Sequence, residues 1–540
     1  MISRPVVAIG LDAADHGLID MWSADGHLPN LARLRKRGSY RTLRHMAFYS
    51  DETPWTNFLT GCTPQKTGFW SQFHFSPKSY DTTFSPYNFS EFRPFYALDE
   101  ERSVCVFDVP HCPVLFPKQR GVQVLGWGAH AAMGPLQSNP PGLCRELTDR
   151  FGEHLGVPIE YGGEWTNQPY LDRLHAALID SIDRKKQICL DLLARQRWDL
   201  FLTVFSEAHM ALHKFWHLSD PAHALYNAHA QSGKNPLRDI YVALDTAVGA
   251  IADRVADHQV DLMIFSVHGS VANCYDLPSM IYLPELLYRY SFPGRHYLCR
   301  NQVTDGKLPA LPTSQDNDEW LRSVWQQTAT TPVSVATLGQ WSLARRLLYR
   351  MHPRLFSQPL SWLERRWPKM KAFALPTYGD GYVRINLKGR EARGTVSPAD
   401  YDTVCDEITD MLNALRNPRN DQPVVKEVVR TRRDRRSRGP HEPDADLVVI
   451  WRQPPANMVS SPTLGVLGPL PFRETGGHRP EGFLMACGQG IAENAILGPG
   501  DVTDLAPTVL SRLGSRIPDY MDGQNLLDVE ERELIGGEIR

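Results

Sequence analysis

Two histidines four residues apart, His209 and His213, are candidates for metal chemistry. If their segment is helical, residues four apart lie on one face, so both imidazoles point the same way. Two neutral imidazoles at this spacing are suitable ligands for a zinc ion. Because they follow Ser206-Glu207 at the end of an apolar run, metal binding is favoured over two histidines on an ordinary helix surface.

Two further polar side chains follow apolar runs. Asp12 comes directly after the run 6–11, and His268 comes directly after the run 262–267. Gly269 is predicted to allow a sharp turn that leaves the imidazole of His268 facing a cleft. Open parallel sheets bind ligands at the carboxyl ends of their strands, so three strands are expected to present metal-capable side chains at one edge.

A fourth histidine and one helix start complete the candidate site. His478 lies in a Gly-Gly-His-Arg-Pro stretch and is significant only if it completes a ligand set. Residues 53–61 predict a helix start, whose backbone N–H groups and positive dipole end suit an anion such as phosphate. Ser50, Asp51 and Glu52 stand just before it. The sequence contains no P-loop and no dinucleotide-binding glycine motif as an alternative phosphate cradle.

The elements that must position these residues alternate between strands and helices. Strands are predicted at 6–11, 104–109, 200–205, 262–267 and 447–451, and helices at 171–196 and from Asn235-Pro236 onward. This alternation indicates a parallel sheet covered on both faces.

The predicted chain organisation has three parts. Residues 300–371 are rich in Trp, Arg, Pro and Thr with weak periodicity, and are predicted to form an insertion or cap. The insertion separates a first core part, 1–299, from a second, 372–540, which holds His478.

Composition excludes several classes of protein. A chain of 540 residues with 42% hydrophobic residues and 13 Trp predicts a large folded core. A net charge of −3 argues against a polycation built for nucleic acid. No apolar run approaches the roughly 18 residues that span a bilayer, and the start lacks the apolar core of a signal peptide, so we expect a cytoplasmic protein without membrane partners. Nine cysteines without a CxxC pair suggest neither a disulfide framework nor a zinc ribbon.

Taken together, the sequence resembles the alkaline phosphatase superfamily and, more narrowly, its type I phosphodiesterase / nucleotide pyrophosphatase branch. The stretches that carry the resemblance follow the family order: 6–15, 28–34, 54–64, 382–391, 478–482, 504–510 and 521–523. The resemblance implies an α/β fold of the alkaline-phosphatase type, with a mainly parallel central sheet flanked by helices and an inserted cap. It also implies two bound metal ions, usually zinc, and a Ser or Thr nucleophile.

The ligand set implied by the resemblance is altered at the first metal site. His209, His213 and His478 occupy the three ligand positions, and His209 replaces an Asp of the family. Three neutral imidazoles carry no negative charge, so this site is expected to be more electropositive than that of the family. It is similar to the three-histidine zinc site of carbonic anhydrase, which leaves one position open for water.

The second metal site implied by the resemblance is also altered. Asp12 and His268 match ligand positions, but Val267 replaces the paired Asp and cannot bind a metal. Asp51 restores the lost charge if it binds this ion. Otherwise the second ion is lost, or is iron or manganese instead of zinc, because carboxylates and imidazoles also suit those ions. One or two zinc ions are therefore expected.

The nucleophile position, counted back without gaps from Thr60-Gly61, falls on Asp51. A local shift in the alignment would make Ser50 or Thr53 the equivalent residue. If Asp51 binds metal, water activated by the metal is the attacking group; alternatively, Asp51 itself attacks phosphorus.

Three functions are compatible with these residues. The first is hydrolysis of a phosphodiester or phosphoanhydride bond in a small phosphate-containing substrate, with two metals stabilising the developing charge. The second is a superfamily member repurposed for other metal-dependent chemistry in specialised metabolism, which the altered positions favour. The third, a non-catalytic binding protein, is disfavoured because four histidines and two aspartates remain at ligand positions.

Overall fold

The computed structural model describes eleven segments of the chain: residues 4–44, 53–130, 133–160, 165–226, 235–256, 259–273, 277–298, 359–432, 441–453, 456–470 and 472–527. The helices in these segments, in chain order, are α1 (His16–Ala24), α2 (Pro29–Lys36), α3 (Thr53–Thr60), α4 (Pro64–Thr67), α5 (Leu143–Phe151), α6 (Gln168–Arg195), α7 (Glu207–Phe215), α8 (Pro236–Val255), α9 (Leu283–Ser291), α10 (Tyr401–Asn413) and α11 (Leu505–Arg512). Short 3-10 or π-helical segments lie at Phe95–Ala97, Trp216–Leu218, Pro278–Tyr282, Pro359–Lys369 and Val502–Asp504.

The strands of the same segments form one large sheet and several small ones. In chain order they are β1 (Val6–Leu11), β2 (Ser39–Arg44), β3 (Phe73–Phe75), β4 (Thr82–Phe84), β5 (Val104–Phe107), β6 (Gly121–Leu125), β7 (Gln137–Asn139), β8 (Leu200–Phe205), β9 (Asp261–Ser266), β10 (Gly269–Ala272), β11 (Ala372–Leu375), β12 (Gly381–Ile385), β13 (Arg416–Asn417), β14 (Gln422–Pro423), β15 (Val425–Arg430), β16 (Leu447–Trp451), β17 (Val459–Ser461), β18 (Gly465–Leu467), β19 (Gly476–Arg479), β20 (Gly482–Cys487), β21 (Ala495–Ile496) and β22 (Gly500–Asp501).

The large sheet has the order β21-β2-β20-β9-β1-β8-β5-β6-β7, with β22 beside β2. Its central strands β9, β1, β8, β5 and β6 are all parallel, whereas β20 and β7 run antiparallel to their neighbours. The prediction of a mainly parallel central sheet is therefore confirmed. Four of the five predicted strands lie in it, with small shifts at their ends.

The two faces of the sheet bury separate apolar cores because side chains alternate along each strand. In β1, Val7, Ile9 and Leu11 pack into one core, whereas Val6 and Ala8 pack into the other. The first core includes apolar residues of α6, α7 and α8, and the second includes those of α3 and α11. This burial on both faces explains why the parallel strands are continuous apolar runs rather than alternating ones.

The fifth predicted strand lies elsewhere. β16 belongs to an antiparallel sheet of order β11-β12-β16-β15, which encloses a third apolar core together with α9 and α10. Its apolar sequence does not distinguish the two sheets, because a strand buried on both faces has the same composition in either.

The predicted insertion, 300–371, lies mostly outside the described residues. Of this region the structure describes 359–371, which include the 3-10 helical segment that ends at Lys369. The proposed boundaries at 299 and 372 stay predictions. No helix in the described segments is both long and apolar enough to cross a membrane.

A buried lysine joins the ends of two central strands. Lys185 of α6 is fully buried, and its ammonium lies 2.7 Å from Asp108 Oδ2 and 3.9 Å from Glu207 Oε1. It also donates a hydrogen bond to the Val204 carbonyl. Burial acts to lower the pKa of Lys185, but the charges of Asp108 and Glu207 raise it above its ordinary value, so the lysine stays cationic. Asp108 follows β5 and Glu207 begins α7, so this charge cluster fixes the start of the helix that carries His209 and His213.

We predict that Lys185→Met lowers the free energy of unfolding by about 3–5 kcal/mol, because it leaves two carboxylates buried without their counter-charge. Chemical denaturation monitored by circular dichroism would measure the change. Lys186→Met, at the adjacent half-buried lysine whose ion-pair partner Asp183 is exposed, is the control and should change stability by less than about 1 kcal/mol. Equal effects of the two variants would contradict a structural role for the buried charge cluster.

Candidate metal centre

Asp12 lies at the carboxyl end of β1 and is completely buried. Its Oδ2 accepts a hydrogen bond from His209 Nδ1 at 3.1 Å, and its Oδ1 accepts one from Trp55 Nε1 at 3.1 Å. His268 Nε2 lies 3.3 Å from the same Oδ1. Burial acts to raise the pKa of Asp12, but His209 and His268 lower it more, so that it lies well below its usual range and the side chain is a carboxylate.

His209 and His213 lie on α7, directly after β8. The helix begins at Glu207, whose negative charge is favourable at a helix N-terminus. As the four-residue spacing predicts, the two rings lie on one face, with their centroids 5.1 Å apart. His213 Nδ1 donates a hydrogen bond to the Gly476 carbonyl at 2.9 Å and lies 3.0 Å from Glu474 Oε2.

His268 and His478 are brought together by the pairing of β10 with β19. Ser270 lies opposite His478 in this antiparallel ladder, and the rings of His268 and His478 are 4.7 Å apart. Gly269 was predicted to allow a sharp turn, but its φ does not lie in the left-handed region. Glycine is needed there for a different reason: a Cβ would lie 2.5 Å from the Glu481 carbonyl oxygen.

Two overlapping groups of side chains could hold a metal ion. His209, His213 and His478 each offer a ligand atom, and these atoms lie within 4.8 Å of one another; the same holds for Asp12, His209 and His268. Two zinc–imidazole bonds of about 2.05 Å at a tetrahedral angle separate their nitrogens by about 3.3 Å, so small side-chain movements would close either group around an ion. The donor types and their spacing therefore fit zinc.

The other predicted site residues are placed as follows. Val267 is buried in the apolar core on the α3 side of the sheet and presents no polar side-chain atom. Thr53 is the first residue of α3 and is buried. Asp51 and Ser50 lie outside the described residues, so the identity of the nucleophile stays a prediction.

Sequence reasoning missed a second layer of histidines around the ligand groups. The ring of His130 stacks on His209 with a centroid distance of 3.8 Å, and its Nδ1 lies 2.8 Å from Glu160 Oε1. His111, in the segment after β5, lies with its Nδ1 2.8 Å from Gln72 Nε2. Neither histidine belongs to a spaced pair. The only available signal was that His111 follows a predicted strand, as Asp12 does.

The charges of this layer differ sharply. Burial acts to lower the pKa of His130, but the Glu160 carboxylate raises it to about 9, so the ring is cationic at neutral pH. Burial and the charge of His130 lower the pKa of His111 to about 3 and that of His209 well below its ordinary value. Burial and neighbouring imidazoles do the same for His478. His209 and His478 are therefore neutral, which is the state that binds metals.

Glu474 supplies negative charge on the other side of the site. Burial acts to raise its pKa, but His213 and Lys214 lower it well below its ordinary value, so it is a carboxylate. It precedes β19 by two residues and faces His213 rather than solvent. The sequence gives no signal for it, because Glu474 and His213 are brought together only by the packing of β19 against α7.

Several solved structures align with nearly the whole chain. A mutant of the alkaline phosphatase PafA is 13% identical, with coverage of 98% of this chain and 99% of that chain and a TM-score of 0.50. This likeness shows a fold of the alkaline-phosphatase type. Phosphonoacetate hydrolase from Sinorhizobium meliloti 1021, in complex with phosphonoformate, is 12% identical over 94% and 96% of the two chains, with a TM-score of 0.47. Inactive murine ectonucleotide pyrophosphatase/phosphodiesterase 5, in complex with AMP, is 10% identical over 96% of each chain, with a TM-score of 0.45.

A comparison of the sequence with family profiles identifies the family of the chain. Residues 6–291, more than half of the chain, match the profile of the type I phosphodiesterase / nucleotide pyrophosphatase family. The chain belongs to this family, which confirms the resemblance inferred from its motifs. No curated protein sequence matches the chain at a significant level.

We predict that the pair of His130 and Glu160 stabilises the metal-free protein in a pH-dependent way. Because the folded pKa of His130, about 9, exceeds an unfolded value of about 6.5, the contribution is complete below pH 6.5 and is lost as the pH rises through 9. Glu160→Gln should therefore cost about 3 kcal/mol at pH 6 and much less at pH 9.5. Urea denaturation at both pH values, after chelation of metals, would measure this. A cost that is independent of pH would contradict the prediction.

Proposed function

We propose that this chain is a metal-dependent hydrolase that cleaves a phosphodiester or phosphoanhydride bond in a small phosphate-containing substrate. The observation that carries the proposal is the convergence of His209, His213 and His478 at the carboxyl edge of the central sheet, in a chain of the phosphodiesterase family. Carboxyl edges of parallel sheets are where such folds bind ligands.

Zinc is the ion that this donor set favours, because three imidazoles in a buried site form a common ligand set of catalytic zinc. A bound divalent ion would supply positive charge to the non-bridging oxygens of a phosphoryl group and would lower the pKa of a bound water. Iron or manganese is the alternative if the carboxylate of Asp12 binds as well.

The chain's own residues prepare the site in two ways. The Asp12 and Glu474 carboxylates orient the rings of His209 and His213. Cationic His130, stacked on His209, adds positive charge beside the ligand groups, which favours an anionic substrate. Asp51, or alternatively Ser50 or Thr53, supplies the group at the nucleophile position, just before or at the start of α3.

A second function is a family member repurposed for other metal-dependent chemistry. It is favoured by the apolar environment of Val267 and by the Trp55 indole that donates to Asp12, because both make the second family metal site less suitable for an ion. Turnover of a generic phosphodiester discriminates the two functions: it is expected for the first and not for the second.

We expect zinc-loaded protein to hydrolyse bis(p-nitrophenyl) phosphate, to lose this activity on dialysis against a chelator, and to regain it when zinc is restored. His213→Asn should lower turnover about 100-fold or more, because it removes one of three ligands. His27→Asn, at an exposed histidine, is the control and should leave turnover unchanged. Activity that persists after all metal has been removed would refute the proposal.

We further expect Asp51→Asn to lower turnover about 100-fold or more, whether Asp51 binds metal or attacks phosphorus. The neighbouring Glu52→Gln serves as the control. Rapid-quench mass spectrometry of the wild type separates the roles: phosphate trapped on Asp51, Ser50 or Thr53 indicates covalent catalysis at that residue, and no phosphoenzyme is expected if Asp51 binds metal. Full activity of Asp51→Asn with unchanged metal content would exclude both roles.

A further inference from the structure

His209 belongs to both groups that could hold a metal ion. A neutral imidazole carries a proton on one ring nitrogen and has a single nitrogen lone pair for a metal. The two groups therefore compete for the same lone pair, unless the ring gives up its remaining proton. Which of the two ligand groups can use the lone pair of His209 depends on which ring nitrogen of His209 carries the proton.

The hydrogen bonds decide where the protons of His209 and His213 lie. His209 Nδ1 is 3.1 Å from an oxygen of the Asp12 carboxylate, and His213 Nδ1 is 2.9 Å from the Gly476 carbonyl oxygen. An ionised carboxylate and a carbonyl can only accept hydrogen bonds, so both Nδ1 atoms are protonated. The free lone pair of each ring is thus on Nε2, and the Nδ1 of His209 that faces Asp12 is not available to an ion in the second group.

N–H groups of the protein already donate hydrogen bonds to both carboxylate oxygens of Asp12. Trp55 donates to Oδ1 and His209 donates to Oδ2, while His268 Nε2 lies 3.3 Å from Oδ1. The Trp55 indole is 1% exposed and packs against Phe58 and Phe265, so it cannot withdraw from Asp12 without disturbing the core. Among the described residues, both oxygens of Asp12 and the Nδ1 of His209 therefore already take part in hydrogen bonds within the protein.

We infer that the chain binds one metal ion per molecule, through Nε2 of His209, Nε2 of His213 and a ring nitrogen of His478, and that Asp12 and Glu474 are positioning residues. Asp12 holds the Nδ1 proton of His209, and Glu474, together with the Gly476 carbonyl, holds that of His213. Such carboxylate–histidine–metal arrangements fix the ring orientation and raise the basicity of the ligand. The assignment rests on the proposed metal dependence and replaces the two-ion site that the resemblance implied.

Metal content tests the inference directly. Full-length protein saturated with zinc, freed of excess by gel filtration and measured by plasma emission spectrometry, should hold one zinc ion per chain. Two ions per chain would overturn the inference and leave the proposed function intact. No bound ion would overturn the proposed metal dependence itself.

His268 and His478 form a matched pair for the same measurement, because both rings are buried and lie 4.7 Å apart. His478→Asn should abolish stoichiometric zinc binding, whereas His268→Asn should still bind one ion. Circular dichroism and the unfolding midpoint of each metal-free variant control for folding. Loss of zinc in His268→Asn alone, with its fold intact, would contradict the assignment of the ligands.

The positioning role of Glu474 has its own test. Glu474→Gln should weaken zinc affinity about 10- to 100-fold while the saturated protein still holds one ion, because the second shell tunes affinity without supplying a ligand. Asp12→Asn should behave in the same way. Glu481→Gln, a nearby exposed carboxylate, is the control and should not change the affinity. Competition with a chromophoric chelator measures the affinity, and unchanged affinity in both Glu474→Gln and Asp12→Asn would refute their role.

Discussion

Parallel pairing of the central strands is the constraint from which the candidate site follows. Because β9, β1, β8 and β5 all run in the same direction, the residues that follow them lie at one edge of the sheet. Asp12, Asp108, Glu207 and His268 follow these four strands. A polar side chain at this edge is surrounded by the ends of several strands, so it is buried and must find a partner.

Buried charge at this edge is balanced locally. The Lys185 ammonium lies between Asp108 and Glu207, and the Glu160 carboxylate pairs with His130. Asp12 is instead stabilised by hydrogen bonds from uncharged N–H donors, and no lysine or arginine of the described residues is seen to pair with it. The kind of partner has a chemical consequence. A carboxylate that accepts a hydrogen bond from an imidazole N–H orients that ring, whereas a carboxylate paired with a lysine only has its charge balanced.

An imidazole, rather than a carboxylate, at position 209 sets the electrostatics of the candidate site. A carboxylate ligand would repel an incoming phosphate, whereas a neutral imidazole does not, and the cationic His130 stacked on it attracts anions. The same imidazole supplies an N–H group for Asp12, which makes Asp12 less suitable as a metal ligand. His209 is thus shared by the two groups and donates to Asp12 of the second one, while Val267 is buried in the apolar core and offers that group no ligand atom.

The sequence by itself determined the fold class, most central strands and the residues of the ligand groups. The signals were long apolar runs, the four-residue spacing of His209 and His213, and a polar residue after each strand. Each lies within a short stretch of sequence, so it can be recognised without the tertiary structure. The sequence could not place β16 in a separate sheet, because a strand that is buried on both faces has the same apolar composition in either sheet. Only the tertiary structure brought Glu474 to His213, Trp55 to Asp12 and His130 to His209, since these contacts join residues distant in the chain. The proton positions on His209 and His213 likewise depend on tertiary contacts, with Asp12 and the Gly476 carbonyl, because the tautomer of a histidine depends on the partner that folding places beside it.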